Sequence, residues 1–119
     1  MLSSKPDETP EEVREFIRFF NSQKFFEAHE VLETLWKKEK QKGLHSDPKL
    51  QNLYQGLIQI SAALVHVQKK NPEGANWLFH SASGYLQNIP LNPLSIDVAA
   101  LIQNTSLCLQ HQKSFPQID

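Results

Sequence analysis

The sequence lacks several features that would place it in a special class of protein. It has one cysteine among 119 residues, so no disulfide can form within the chain, and we expect a reducing, cytoplasmic location. No uncharged apolar run approaches the roughly 18 residues that span a bilayer. The first residues carry no apolar segment typical of a signal peptide. We therefore expect no membrane partner.

An excess of one charge sign is also missing. The formal net charge is −1, from 12 Lys and Arg against 13 Asp and Glu. A strongly basic chain is attracted to nucleic acid, and this chain is not basic, so we expect no nucleic-acid partner. With 39% hydrophobic and 21% charged residues, the composition is that of a globular protein. The length predicts one domain over residues 1–119, with residues 1–8 as a flexible N-terminal segment.

No segment alternates apolar and polar residues as a strand does, whereas helix start signals recur. Asp47-Pro48 and Asn71-Pro72 each place a capping side chain before a proline, which is tolerated at the start of a helix because its missing N–H is not needed there. Thr9-Pro10 and Asn92-Pro93 repeat the pattern. At the last of these starts, Ser95 is an alternative cap to Asn92. The sequence predicts an all-α, five-helix bundle with helices near residues 10–21, 23–41, 48–70, 72–88 and 94–112.

The third predicted helix, about residues 48–70, is apolar over more than half of its circumference. Before Lys69 its only charged residue is Lys49. A helix that is apolar nearly all round is a buried one, so we expect helix 3 to be central and largely buried. Its remaining face is one straight stripe, with spacings of four, three and four residues, formed by Gln55, Gln59, Ala62 and His66.

Predicted helix 2 also carries polar residues on an apolar face. His29 and Glu33 fall within that face, one turn apart, with Glu30 at its edge and Glu27 pointing away. The apolar members of the face are Phe25, Phe26, Leu32 and Trp36. Burying an unpaired polar group costs roughly 1–3 kcal/mol, so polar residues on a core face need a reason. The simplest packing lays this face on the stripe of helix 3 and so predicts a polar cluster between the two helices.

Three explanations of this cluster stay open. In the first, it is structural or binds a small molecule, and His29 is neutral and hydrogen-bonded to a neighbour from helix 2 or helix 3. In the second, His29, Glu33 and His66 hold a divalent metal such as Zn, Mn, Fe or Ni. In the third, His29 beside a carboxylate acts as a general base. No nucleophile accompanies it, because Cys108 lies between two leucines and is predicted to be a core residue. We favour the first, with a metal-dependent hydrolase as the alternative, and leave open whether the protein is an enzyme.

Helices 4 and 5 carry few charges, and Trp77 lies off the predicted core stripe of helix 4. Weakly charged surfaces and exposed tryptophans are typical of contacts between proteins. The sequence therefore predicts a homodimer through these two helices.

Two segments of the chain resemble a family of small all-helical bacterial and archaeal proteins known as domain of unknown function 309. They are residues 25–36, which follow Phe20-Asn21, and residues 55–66. The resemblance extends over roughly residues 13–105 and implies an all-helical bundle with a central helix. It also implies that the family's motif positions are occupied by Glu27, His29, Glu30, Glu33, Gln55, Gln59 and His66. Members are sometimes labelled metal-dependent hydrolases.

Overall fold

The computed structural model describes residues 10–87, 89, 93–111 and 114–118, most of which lie in five α-helices. The helices are α1 (Glu11–Asn21), α2 (Phe25–Lys40), α3 (Pro48–Gln68), α4 (Pro72–Leu86) and α5 (Val98–His111), with short 3₁₀ turns at Gly43–His45 and Pro93–Ser95. No strand occurs among these residues, so the all-α prediction is confirmed. The expected flexible segment 1–8 and the cap Thr9 lie outside the described residues.

Two of the predicted helix starts are confirmed by their hydrogen bonds. The Asp47 side chain accepts a hydrogen bond from the backbone N–H of Lys49, and Pro48 is the first residue of α3. Asn71 caps α4 in the same way by accepting from the N–H of Gly74. Each carboxylate or amide oxygen pairs an N–H that the helix itself leaves without an acceptor.

The predicted start of the fifth helix is wrong. Helix α5 begins at Val98, and its first turn is capped by Asp97, whose Oδ1 accepts from the N–H of Ala100 at 3.0 Å. Leu94 and Ser95 have φ angles of 54° and 62°, a backbone conformation that cannot continue a right-handed helix. The other candidate cap, Asn92, lies outside the described residues.

Helix α3 is central, as predicted. It packs against both α2 and α4, while α1 packs on α2 and α5 contacts α4. Its buried residues are Leu53, Tyr54, Gly56, Leu57, Ile58, Ile60, Ser61, Ala63 and Leu64. A Cβ atom at Gly56 would stand 2.5 Å from two side-chain atoms of Leu86, so only glycine lets α4 approach this closely.

The core face of α2 is rotated from the predicted one. Its buried residues are Phe25, Ala28, Leu32, Leu35 and Glu39, a regular helical stripe. Phe26, which we expected on this face, is 57% exposed. The predicted face of α2 was defined mainly by its aromatic residues, whereas the buried face also contains Ala28 and Leu35. As a result His29 and Glu33 lie at the edge of the core face, where both are half-buried.

Glu39 is the buried carboxylate that joins α2 to the start of α3. It is 4% exposed, and its Oε2 accepts from the backbone N–H of Asp47 at 2.7 Å. Its Oε1 accepts from Nζ of Lys42 at 2.9 Å. The bond from Asp47, and then the bond from Lys42, lower the pKa of Glu39 below its ordinary value of 4.5.

We predict that Glu39 makes the stability of the fold depend on acid pH. Because its pKa is lower in the folded chain, ionised Glu39 stabilises the fold above about pH 4.5, and this contribution is lost as pH falls through the folded pKa. Glu39→Gln keeps an acceptor for Asp47 but cannot titrate. In denaturant unfolding from pH 7 to pH 3, wild type should lose more stability than Glu39→Gln below about pH 4.5. A difference between the two that stays constant with pH would contradict the prediction.

Candidate functional site

Helix α3 packs against both α2 and α4 and leaves a partly exposed stripe between these two contacts. Tyr54 faces α2, and burial and two carboxylates, from α2 and α1, raise its pKa to about 12. Gly56 faces α4 through Leu86. Successive helical residues turn by roughly 100°, so Gln55 points between the two neighbouring helices. The stripe that Gln55 begins is half-buried along its length, and we call it the polar groove: Gln55, Gln59, Ala62 and His66.

On α2, His29 and Glu33 lie on the edge that faces away from α1. The opposite edge is covered by α1, because Nζ of Lys38 donates to Oε2 of Glu12 at 2.8 Å. His29 precedes Lys38 by nine residues, two and a half helical turns, and so points the other way. The two remaining candidates of α2, Glu27 and Glu30, are exposed.

The imidazole of His29 has two neighbours on its own helix. Its Nε2 stands 3.6 Å from Oε2 of Glu33, which allows electrostatic attraction but is too long for a hydrogen bond. The ring of Phe26 stacks near that of His29, with 6.2 Å between ring centroids and 24° between ring planes. The exposed Phe26 ring therefore lies over the imidazole, which has the Glu33 carboxylate as its other neighbour.

Two buried polar atoms of the candidate residues are unpaired. Nδ1 of His29 and Oε1 of Gln59 have no hydrogen-bond partner within the described parts of the chain. An unpaired buried group costs roughly 1–3 kcal/mol. A purely structural cluster would pair these atoms, and the expected hydrogen bond between His29 and a neighbour on α2 or α3 is not formed by Nδ1.

His66 lies in the last turn of α3 and contacts the turn that joins α3 to α4. Oδ1 of Asn71 accepts from the N–H of Gly74 at 3.1 Å, so the amide nitrogen of Asn71 is directed at Nδ1 of His66, at 3.0 Å. Since that nitrogen can only donate, Nδ1 of His66 is the acceptor and the ring proton is on Nε2. A Cβ at Gly74 would stand 2.7 Å from Nδ2 of Asn71 and 2.9 Å from Nδ1 of His66, so glycine leaves room for this bond.

The predicted metal ligands do not fit together as a set. Among the described residues, no group of three or more His, Cys, Asp or Glu side chains could hold a metal ion. In addition, neither ring nitrogen of His66 offers a free lone pair, because Nδ1 accepts from Asn71 and Nε2 carries the proton. A site built from His29, Glu33 and His66 would require His66 to leave Asn71.

Cys108 is a core residue, as predicted. It is buried on α5, and burial raises the pKa of its thiol, which disfavours the reactive thiolate. A thiol of this kind does not supply the nucleophile that the polar groove lacks.

A cleft that was not predicted from the sequence lies at the far end of α3. It has a volume of about 620 Å³ and is lined by Val67, Lys70, Asn71, Pro72, Asn76, Cys108, Leu109 and Phe115. None of the seven candidate residues lines it. Its walls come from the α3–α4 turn, α5 and the C-terminal segment, so no local sequence pattern could have indicated it.

The fold and the groove define an all-helical domain built around a buried central helix with one polar stripe. No helix in the described part of the chain is long and apolar enough to span a membrane. Residues 13–78 match the model of the family described as Domain of unknown function (DUF309), and the chain belongs to that family. The match contains all seven candidate residues and ends within α4, before α5.

Two known proteins are similar to this chain. The chain is 32% identical over 71 residues to the uncharacterized protein YpuF of Bacillus subtilis (strain 168). That match covers 60% of this chain but 37% of YpuF. A crystal structure of a conserved hypothetical protein, TTHA0068 from Thermus thermophilus, superposes with a TM-score of 0.71 at 24% identity. The superposition covers 86% of this chain and 98% of TTHA0068. At this sequence identity, the likeness shows the fold alone.

Proposed function

We propose that the polar groove and the adjoining edge of α2 bind a small molecule. The observation that carries the proposal is the pair of unpaired buried atoms, Nδ1 of His29 and Oε1 of Gln59. Apolar side chains at these positions would avoid that cost, so stability alone does not explain a histidine and a glutamine there. Both residues lie within the segment that matches the family model, on helices that pack against each other.

The surrounding groups favour a ligand that is cationic and rich in N–H donors. Glu33 holds its carboxylate near Nε2 of His29, and the adjacent Glu30 adds exposed negative charge. The exposed ring of Phe26 offers a face on which a planar cation stacks favourably. An amidinium or guanidinium group supplies both the charge and paired N–H donors. His29 and Gln59 are only half-buried, so their side chains can turn toward such a ligand.

We predict that removing the unpaired amide of Gln59 does not destabilise the fold. Gln59→Leu should leave the free energy of unfolding unchanged or raise it by up to about 2 kcal/mol, because it deletes a buried group without a partner. The matched control is Gln51→Leu on the same helix, whose amide donates to the hydroxyl of Ser46 and whose loss should cost about 1 kcal/mol. Chemical denaturation measures both. A loss of about 1 kcal/mol or more in Gln59→Leu, the value of one hydrogen bond, would favour the structural explanation.

We predict that benzamidine raises the melting temperature of the wild-type chain in proportion to the logarithm of its concentration, because it binds the folded state alone. His29→Leu and Gln59→Leu should remove this response while remaining folded. Benzoate, which has the same shape and the opposite charge, is the control ligand and should leave the melting temperature unchanged. Equal responses in wild type and both variants would refute binding at the groove.

The same melting experiment addresses the alternative, a metal-dependent hydrolase that uses His29, Glu33 and His66. A chelator would then lower the melting temperature of the wild type, and added Zn or Mn would restore it. His29→Ala and His66→Ala would each remove that response. We expect no chelator response, and a reproducible one lost in both variants would replace the proposed function with the hydrolase.

We also propose a homodimer through α4 and α5. Trp77 is 70% exposed on the outer face of α4, and Tyr85 and Leu107 are exposed on the two helices. The only Asp, Glu, Lys or Arg on α4 is Glu73, and α5 has none. An exposed tryptophan on a surface with so little charge is a typical anchor of a protein contact.

We predict that Trp77→Asp converts the dimer into a monomer, because a charge at the centre of an apolar contact opposes association. Sedimentation velocity at increasing protein concentration is the measurement. Leu44→Asp is the control, since Leu44 is fully exposed on the α2–α3 connection, away from α4 and α5. A wild-type chain that stays monomeric at high concentration would remove the homodimer proposal.

A further inference from the structure

The last residue of α1 binds the main chain of the C-terminal segment. Nδ2 of Asn21 donates to the carbonyl oxygen of Ile118 at 2.6 Å, and Oδ1 of Asn21 accepts from the N–H of the same residue at 2.7 Å. One side-chain amide thereby pairs both backbone groups of a single residue, as a neighbouring strand would. Nε2 of Gln117 adds a bond to the carbonyl oxygen of Asn21 at 3.3 Å.

The side chains of this segment supply two apolar anchors, three residues apart. The ring of Phe115 lies 5.2 Å from that of Phe25, at the end of a row of rings that continues into the core through Phe20. Ile118 is 4% exposed, and Pro116 between the anchors is buried. Residues 114–118 therefore occupy the corner between α1 and α2 as a bound peptide would, with main-chain bonds and two side-chain contacts.

The segment that matches the family model includes one side of this contact but not the other. Asn21, Phe20 and Phe25 lie inside the segment that matches the family model, whereas residues 114–118 lie outside it. The residues that form the corner therefore lie within the matched segment, and the residues that fill it lie outside that match.

We propose that the α1–α2 corner is a peptide-binding site for an extended segment of the pattern aromatic–Pro–x–aliphatic. Residues 114–118 fill it within the chain, and a segment of another protein with the same pattern binds there when they are displaced. Asn21 recognises main-chain atoms, which every extended segment offers, so specificity rests on the two anchors. The chain's own segment is tethered at an effective concentration on the order of millimolar and competes with any partner.

The test uses the full chain with its own segment weakened and a synthetic peptide with the sequence of residues 114–118. The double variant Phe115→Ala, Ile118→Ala removes both anchors. If the double variant does not fold, the single variant Ile118→Ala is used in its place. We expect the peptide to bind this variant about tenfold or more tightly than it binds wild type, where the tethered segment competes. Calorimetry gives the affinity, and the Asn21 side-chain amide signals in NMR spectra report the location.

A further substitution in the same background identifies the recognising residue. Asn21→Ala should weaken peptide binding about tenfold or more, because two hydrogen bonds are lost. Asn52→Ala is the matched control, an exposed asparagine on α3 that should leave binding unchanged. The proposal is overturned if the peptide does not bind a folded variant, or if it binds equally well without Asn21.

A second copy of the chain is the competing occupant. An NMR experiment on isotope-labelled variant mixed with unlabelled wild type tests for this occupant. If the C-terminal segment of a wild-type copy entered the corner of the variant, the Asn21 amide signals of the variant would shift. We expect no shift at equal concentrations, and a clear shift would overturn the proposal by assigning the corner to a second copy.

Discussion

Helix α4 packs closely on α3 at Leu86 because residue 56 has no side chain. An added Cβ would stand 2.5 Å from Leu86, far inside the separation of packed carbon atoms. This close contact lets α4 cover one side of α3 while α2 covers the side of Tyr54. The position of the polar groove follows, because the stripe that begins at Gln55 is the part of α3 between those two contacts. A bulkier residue at position 56 would push α4 outward and change the groove.

The polar residues of the groove differ in how well the surrounding fold pairs them. His66 is paired with Asn71, whose other amide atom caps α4, so it helps to fix the turn between α3 and α4. His29 and Gln59 instead keep a buried atom without a partner in the described parts of the chain. Proteins retain polar groups that weaken the fold mostly where function requires them, which is why the ligand proposal rests on these two residues and not on His66.

The sequence predicted those features that depend on neighbouring residues. Asp47 and Asn71 cap their helices because a cap acts over two or three residues, and the apolar circumference of α3 indicated its central position. The start of α5 was mispredicted because the positive φ of Leu94 is set by packing, which local sequence does not reveal. Groups far apart in sequence were not predicted either. Asn21 pairs with Ile118, which lies 97 positions away along the chain.

The connection between α2 and α3 is closed by a single buried carboxylate. Glu39 binds the N–H of Asp47, so the ends of the connection are fixed while the residues between them, including the fully exposed Leu44, make little contact with the core. The entropic cost of lengthening a loop with fixed ends rises only with the logarithm of its length. Extra residues inserted near Leu44 should therefore leave the bundle intact. The connection can therefore change in length without altering the groove, and in the laboratory it is a suitable position for a fluorophore or an affinity tag.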